Sequence, residues 1–317
     1  NILTSNNPGQ IKNMINMPLL ADYRIPLEFN YCTFRSNTKA ADFGTVCRIF
    51  SQDVSFYNCE FEENAALYGG AISIYNVQSP ILIINCTSRA NQAQKGGSIH
   101  FQSPPSAKPD NYKAVVIANC TFSGSLANQG GALFLDSPIE VKLEGTNRFD
   151  SCRCNAFSSD DSNQGSIIFL LTKTTFFTIP SSTIIENQTD GSQYLIYSFS
   201  QDFRCFNLKL NKNITQNCFY IYGENGTTDF DSISFENVKT AIEIATMAQT
   251  VNITGCTFDN CDTGSPNTFI VKLQSIYDVL FTQNIFNSTK VNIRTPALYI
   301  QFYGRNLNIS YNQFINC

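Results

Sequence analysis

The stretch Asn58-Cys-Glu-Phe-Glu-Glu-Asn-Ala-Ala-Leu-Tyr-Gly-Gly-Ala-Ile-Ser-Ile-Tyr75 decides how the whole chain is read. Its opening, Cys-x-Phe, returns as Cys32-Thr-Phe34, Asn85-Cys86-Thr-Ser88, Asn119-Cys120-Thr-Phe122 and Cys256-Thr-Phe258. Looser copies are Asn147-Arg-Phe149, Asn284-Ile-Phe286 and Asn312-Gln-Phe314. Measured at the Phe, the steps are 27, 27, 34 and 27 residues up to Phe149, then 28 and 28 from Phe258 to Phe314. In the weaker middle, Phe177, Leu208 and Phe235 fill the slot at comparable spacing. A fixed period of this size marks a repeat architecture, here about eleven units of roughly 28 residues.

Other positions keep register with that Phe. Seven and five residues before it come Leu27/Phe29, Val54/Phe56, Ile81/Ile83, Val115/Ile117, Val251/Ile253, Val279/Phe281 and Leu307/Ile309. A period of two means a strand with these side chains on one face, and the Cys and Phe of Cys-x-Phe share a face for the same reason. Eight residues after the slot, Gly69-Gly70, Gly96-Gly97 and Gly130-Gly131 lead into a third alternation: Ile72/Ile74, Ile99/Phe101 and Leu133/Leu135, with Phe269/Val271 lacking the glycines. Each unit therefore reads as three short strands separated by turns rich in Asn, Gly and Ser. A unit this small cannot bury its apolar face alone, so neighbours must stack. The fold expected is all-β, a right-handed parallel β-helix of the pectate-lyase-like solenoid type. One solenoid covers residues 1–317 as a piece of a longer chain, with insertions at 102–111 and 155–163.

Composition agrees. The 317 residues carry 25 acidic and 21 basic side chains for a net charge of −4, with one His, no Trp, 26 Phe and 12 Cys. That much apolar side chain excludes general disorder, and mild acidity argues against a nucleic-acid partner. No run approaches the apolar length that spans a bilayer, so membrane anchoring would come only through segments outside this sequence. Asn is the outlier, at 35 residues. Asn at repeated turns can stack into amide ladders from coil to coil.

Phe61-Glu-Glu-Asn64 followed by Gly69-Gly70-Ala71-Ile72 resembles the polymorphic outer-membrane protein repeats, a family defined by paired Phe-x-x-Asn and Gly-Gly-Ala-Ile motifs. Similar repeats occur in large surface proteins of some protists. Phe34-Arg-Ser-Asn37 is another clean first motif, and Gly96-Gly97-Ser98-Ile99 and Gly130-Gly131-Ala132-Leu133 approach the second. The motifs cover roughly residues 27–135. Beyond them, Phe149-Asp-Ser-Cys152, Phe258-Asp-Asn-Cys261 and Phe314-Ile-Asn-Cys317 put Cys in the Asn slot, and the Gly pair disappears. The resemblance implies a surface-displayed β-helix with adhesion as its usual role, and it carries over no catalytic residue.

The glycine pairs fit corners that need positive φ or close approach of one coil to the next. A phosphate cradle would need different spacing and a following helix. Cys32, Cys59, Cys86, Cys120 and Cys256 occupy one inward slot, as buried thiols or as inter-coil bridges such as Cys32–Cys59. Cys152, Cys154, Cys205, Cys218 and Cys261 lie nearer turns and are the better bridge candidates, with connectivity open. With one His and no Cys-x-x-Cys pair, no metal or cofactor site is expected. Eight Asn-x-Ser/Thr sequons stand at Asn85, Asn119, Asn187, Asn213, Asn225, Asn252, Asn287 and Asn308. So many asparagines yield about six by chance, so they add only modestly to a secreted-glycoprotein reading.

Because β-helices include pectin-cleaving enzymes, a polysaccharide lyase or glycoside hydrolase is the rival function. It needs paired carboxylates or an Asp cluster holding calcium. The only adjacent acidic pair lying in a loop, Asp160-Asp161, reads as solvated. His100, between inward Ile99 and Phe101, is expected to face solvent. Aromatics such as Tyr75, Tyr112, Tyr220, Tyr222 and Tyr303 could stack on sugars. The function expected is a non-enzymatic, extracellular or cell-surface rod, adhesive or structural. Its partners would be glycans, surface proteins, further coils of the chain, or other copies in an extracellular filament.

Overall fold

In Val54–Tyr57 the side chains of Val54 and Phe56 are buried while Ser55 and Tyr57 are half-buried, as a period of two requires. The same alternation recurs along the chain. The computed structural model describes residues 2–3, 15–17, 27–38, 46–50, 54–75, 81–102, 115–136, 141–154, 165–170, 177–188, 194–199, 202–210, 214, 217–223, 226–245, 250–262, 268–289 and 296–317. Among them every regular element is a strand. Both insertions, Asp160-Asp161, Tyr112, Asn213 and Asn225 lie outside the described residues, except for Gln102 at the edge of the first insertion.

Each coil supplies three strands. In the coil first quoted these are Val54–Tyr57, Glu60–Glu62 and Ile72–Tyr75. Each pairs in parallel with its counterpart one coil on, Val54 with Ile81, Phe61 with Ser88 and Ile72 with Ile99. The Cys-x-Phe strands form one twelve-stranded sheet, and the other two sets form a twenty-stranded sheet. Those two sets join because Val271–Thr282 and Leu298–Ser310 run unbroken round the corner between a third strand and the next first strand. The architecture is a parallel β-helix. At the usual strand spacing its twelve-strand stack is about 50 Å long. The coil count differs from the sequence reading, since Ile2–Leu3 adds a strand to this sheet that no motif announced.

The core is a set of columns along the rod. In the slot column Phe34 stacks on Phe61 at 5.2 Å, Phe122 on Phe149 at 5.1 Å, and Phe235 on Phe258 at 5.1 Å. Ser88 interrupts it. Its hydroxyl donates to Ser98 Oγ at 2.7 Å, which meets Ser125 Oγ at 2.7 Å, while Asn91 Nδ2 donates to Ser88 at 2.8 Å. A buried hydroxyl is tolerated when its hydrogen bonds are made.

The middle of the chain corrects the sequence register. Phe149 pairs with Ile185, and Ile185 with Leu210, so these two fill the ring slot. Phe177 instead lies in a first strand opposite Val141, and Leu208 sits two residues before the slot. The slot asks only for an inward apolar side chain, which Ile and Leu satisfy without the motif. Near residue 270 the inward pair is Val271 and Leu273, opposite Ile242 and Ile244, while Phe269 lies off the core.

The corners explain the Asn and Cys usage. The slot strand is bracketed by residues with positive φ, among them Asn58, Asn85, Asn119 and Asn207 before it and Asn187, Asn237 and Asn260 after it. Asn tolerates that region better than most residues. The next inward side chain then donates to a carbonyl of the coil beneath. On the near side Cys59 Sγ donates to Phe29 O (3.4 Å), Cys86 to Phe56 O (3.5 Å), and Asn284 Nδ2 to Ile253 O (3.0 Å). On the far side Asn64 Nδ2 donates to Phe34 O (3.1 Å), Asn91 to Phe61 O (2.9 Å), and Cys152 Sγ to Phe122 O (3.6 Å). Cys and Asn alternate because both carry a donor into the same place.

Candidate functional site

The third strands carry a second set of columns on their outer face. From Ser73 the register partners run His100, Phe134, Phe169, Tyr197, Tyr220, Glu243, Lys272 and Tyr299. Their rings stack: His100 on Phe134 at 5.2 Å, Phe134 on Phe169 at 5.2 Å, Phe169 on Tyr197 at 5.1 Å and Tyr197 on Tyr220 at 4.6 Å, all within 16° of parallel. Tyr194, Phe199 and Tyr222 flank this ladder. Phe134, Phe169, Tyr194 and Tyr197 form a buried cluster separate from the main core.

His100 is therefore not the exposed side chain that alternation suggested. It does point outward, but it is only 1% exposed. Tyr68 and Tyr75 lie against its ring at 5.2 and 5.8 Å, and Nδ1 meets Ser73 Oγ at 3.3 Å. Burial, helped by the Lys95 ammonium, lowers its pKa to about 3, so the imidazole is neutral. Lys95 Nζ lies 5.0 Å from the Phe134 ring centroid and 5.8 Å from that of Tyr68, within cation–π reach of both.

The glycine pairs set the corner over which Tyr68 and Lys95 reach. The first glycine of each pair has positive φ, as at Gly96 (63°). The second has no room for a side chain: a Cβ on Gly70 would strike the carbonyl oxygen of Gly97, and one on Gly97 that of Gly131. The two glycines thus do different jobs.

At its far end the ladder gives way to charge. Lys272 Nζ bonds Glu243 Oε1 at 2.9 Å, and Tyr194 Oη donates to Glu243 Oε2. Burial, with Glu243 close by, pushes the phenols of Tyr194 and Tyr220 upward. This constellation was missed in the sequence. Its signal was present, however: the residue between the two inward ones is aromatic in four successive third strands. Stacked rings spend their faces on one another and turn edges outward. Tyr220 accordingly has one face on Tyr197, while Tyr75 lies near Arg48 and His100. Tyr222 meets Phe199 edge-on, and only Tyr303 among the described candidates stands 65% exposed.

Sequons fall in two groups. Asn85, Asn119 and Asn308 are exposed. Asn187, Asn252 and Asn287 donate their amides to Asp150 (3.0 Å), Asp229 (2.7 Å) and Asp259 (2.9 Å) of the coil beneath. Those rungs also occupy the outward acids, and Arg148 pairs with Glu186 while Arg204 meets Asp229 at 3.2 Å. None of the twelve cysteines is joined in a disulfide, and all are buried except for half-buried Cys32 and exposed Cys317. Burial pushes Cys152, Cys154, Cys256 and Cys261 up to about 12. Cys205 senses Cys256, and Cys218 senses Cys261, rather than each other. Cys47, not singled out in the sequence, is buried near Cys59 and Cys32.

Among the described residues no group of three or more His, Cys, Asp or Glu could hold a metal ion, and no helix is long and apolar enough to cross a membrane. Comparison with known protein families, curated proteins and solved structures finds no match for this chain.

Proposed function

We propose that this chain is a non-enzymatic rod of an extracellular or cell-surface protein, serving adhesion or structure. The observation that carries the reading is how the outward polar groups are used. Asp150, Asp229 and Asp259 each receive an amide from the coil above, and Glu243 is held by Lys272 and Tyr194. Groups committed to coil-to-coil rungs stiffen a rod, whereas an acid–base pair needs room for substrate between its members. The test is a glycan array run beside a polygalacturonate degradation assay. Binding without turnover supports the reading. Turnover that disappears in a folded Glu243→Gln or Asp229→Asn variant overturns it in favour of a lyase or hydrolase.

A further inference from the structure

Four successive coils hold cysteine two residues before the ring slot: Cys32, Cys59, Cys86 and Cys120. The residues that follow them are direct register partners, Thr33 with Glu60, Glu60 with Thr87, and Thr87 with Thr121. The thiols are thereby stacked along the rod at the strand spacing of about 4.8 Å, inside the Cα separation a disulfide spans. Cys59, Cys86 and Cys120 also perturb one another's ionisation, which places their sulfurs within mutual reach. Cys47 senses Cys59 and Cys32, Cys205 senses Cys256 and Cys218 senses Cys261, but Cys47, Cys205 and Cys256 have no cysteine in the same register position of an adjacent coil. Cys47 lies between Ile15 and Ile72, and Cys205 between Ile179 and Phe230. In the repeat register, Cys256 lies between Ile233 and Asn284.

We propose that Cys32, Cys59, Cys86 and Cys120 form an inter-coil disulfide ladder, loaded at half-buried Cys32 by a small-molecule disulfide. The Cys32 thiolate attacks the external disulfide, forming a mixed disulfide and releasing one small thiolate, which takes up a proton. Cys59 then loses its proton and attacks the Cys32 sulfur, expelling the second small thiol and closing Cys32–Cys59. Two protein thiols are oxidised, and one external disulfide is reduced to two thiols. Attack by Cys86 on the Cys59 sulfur moves the bridge one rung and frees Cys32 with no further oxidant. Such displacement at sulfur needs three sulfurs near a line, which a column along the rod axis supplies.

The experiment incubates the reduced full chain with oxidised glutathione, quenches by alkylation over time, and maps bridges by mass spectrometry of unreduced peptides. Cys32–Cys59 should appear first, then Cys59–Cys86 and Cys86–Cys120. Cys32→Ser should slow bridge formation in this run at least tenfold, and Cys59→Ser should leave glutathione on Cys32. Cys317, exposed and set over Thr289 rather than a cysteine of the coil beneath, should keep its adduct in every variant and so serve as the internal reference. Melting curves verify that each variant is folded, and Cys120→Ser, which removes only the last rung, provides a second test at a different depth. Unchanged bridge formation in Cys32→Ser, a persistent adduct on Cys32 in the unsubstituted chain, or first bridges elsewhere would overturn the proposal.

Discussion

Residues 54–136 and residues 202–245 build the same coil with different chemistry. In the first region the corner slots hold donors, Cys59, Cys86 and Cys120 on the near side and Asn64 and Asn91 on the far side. In the second region the same slots hold Leu208, Ile233 and Val238, all buried. The first region turns on glycine pairs and the second does not. Register is therefore kept by the inward columns, while corner hydrogen bonds are one of two ways to fill a corner. A carbonyl beneath a donor gains a partner, and one beneath an apolar side chain must make do with its sheet bonds. The corner slots of the motif-rich coils are specified by polar complementarity, those of the motif-poor ones by packing.

The largest expected effect comes from a column shared by both regions. Phe258→Ala should cost about 3–5 kcal/mol in denaturant unfolding, because Phe235 and Phe286 lose a ring on opposite sides. A loss below about 1 kcal/mol would mean the column is not packed as described. Next comes the corner. Gly97→Ala should destabilise by about 3 kcal/mol, since its Cβ meets the backbone oxygen of Gly131, whereas Ser166→Ala, at the equivalent place two coils later, should cost less than about 1 kcal/mol. Equal losses would erase the contrast.

Asn64→Ala should cost about 2 kcal/mol by leaving buried groups of two coils unpaired, while Val238→Ala, in the same slot, should cost about 1–2 kcal/mol by lost packing alone. The sharper discriminator is Val238→Asn. If the slot is equivalent in both regions, this variant should remain folded and within about 1 kcal/mol of the parent.

His100 adds a pH dependence to the first region alone. Its folded pKa of about 3 lies below the unfolded value of about 6.5, so the unfolded chain binds the extra proton between them. Stability should be full above about pH 6.5 and fall as pH drops toward 3, by about 2 kcal/mol at pH 5. In His100→Phe, unfolding midpoints at pH 7 and pH 5 should move closer together than in the parent. The smallest effect is expected at an outer rung, where Asn252→Ala should cost about 0.5–1 kcal/mol.

The fold was legible because three periodicities of two recur at a near-constant interval, and strands at Val54–Tyr57 or Ile81–Ile84 fall where the alternation put them. The middle was not legible at the level of register. Ile185 and Leu210 do the work of Phe, and the chain takes 36 residues from Phe149 to Ile185 but 25 from there to Leu210. The outer ladder was missed for a different reason. Alternation tells which way His100 and Phe134 point but not whether anything covers that side. That cover includes Tyr68, Tyr75 and Lys95, which reach across from their own and neighbouring coils. The sequon asparagines at Asn187, Asn252 and Asn287 likewise matched a motif whose amide the fold commits to an aspartate.

One register carrying the chain from the motif-rich coils through the motif-poor ones is the central claim, and a single distance tests it. From Thr87 the partners run through Thr121, Arg148, Ile184, Lys209 and Ser234 to Thr257, six steps along one sheet. Spin labels introduced at positions 87 and 257 by a chemistry that spares the cysteines should give one narrow distance of about 29 Å in pulsed electron resonance. A distance shifted by one strand spacing or more, or a broad distribution, would contradict it.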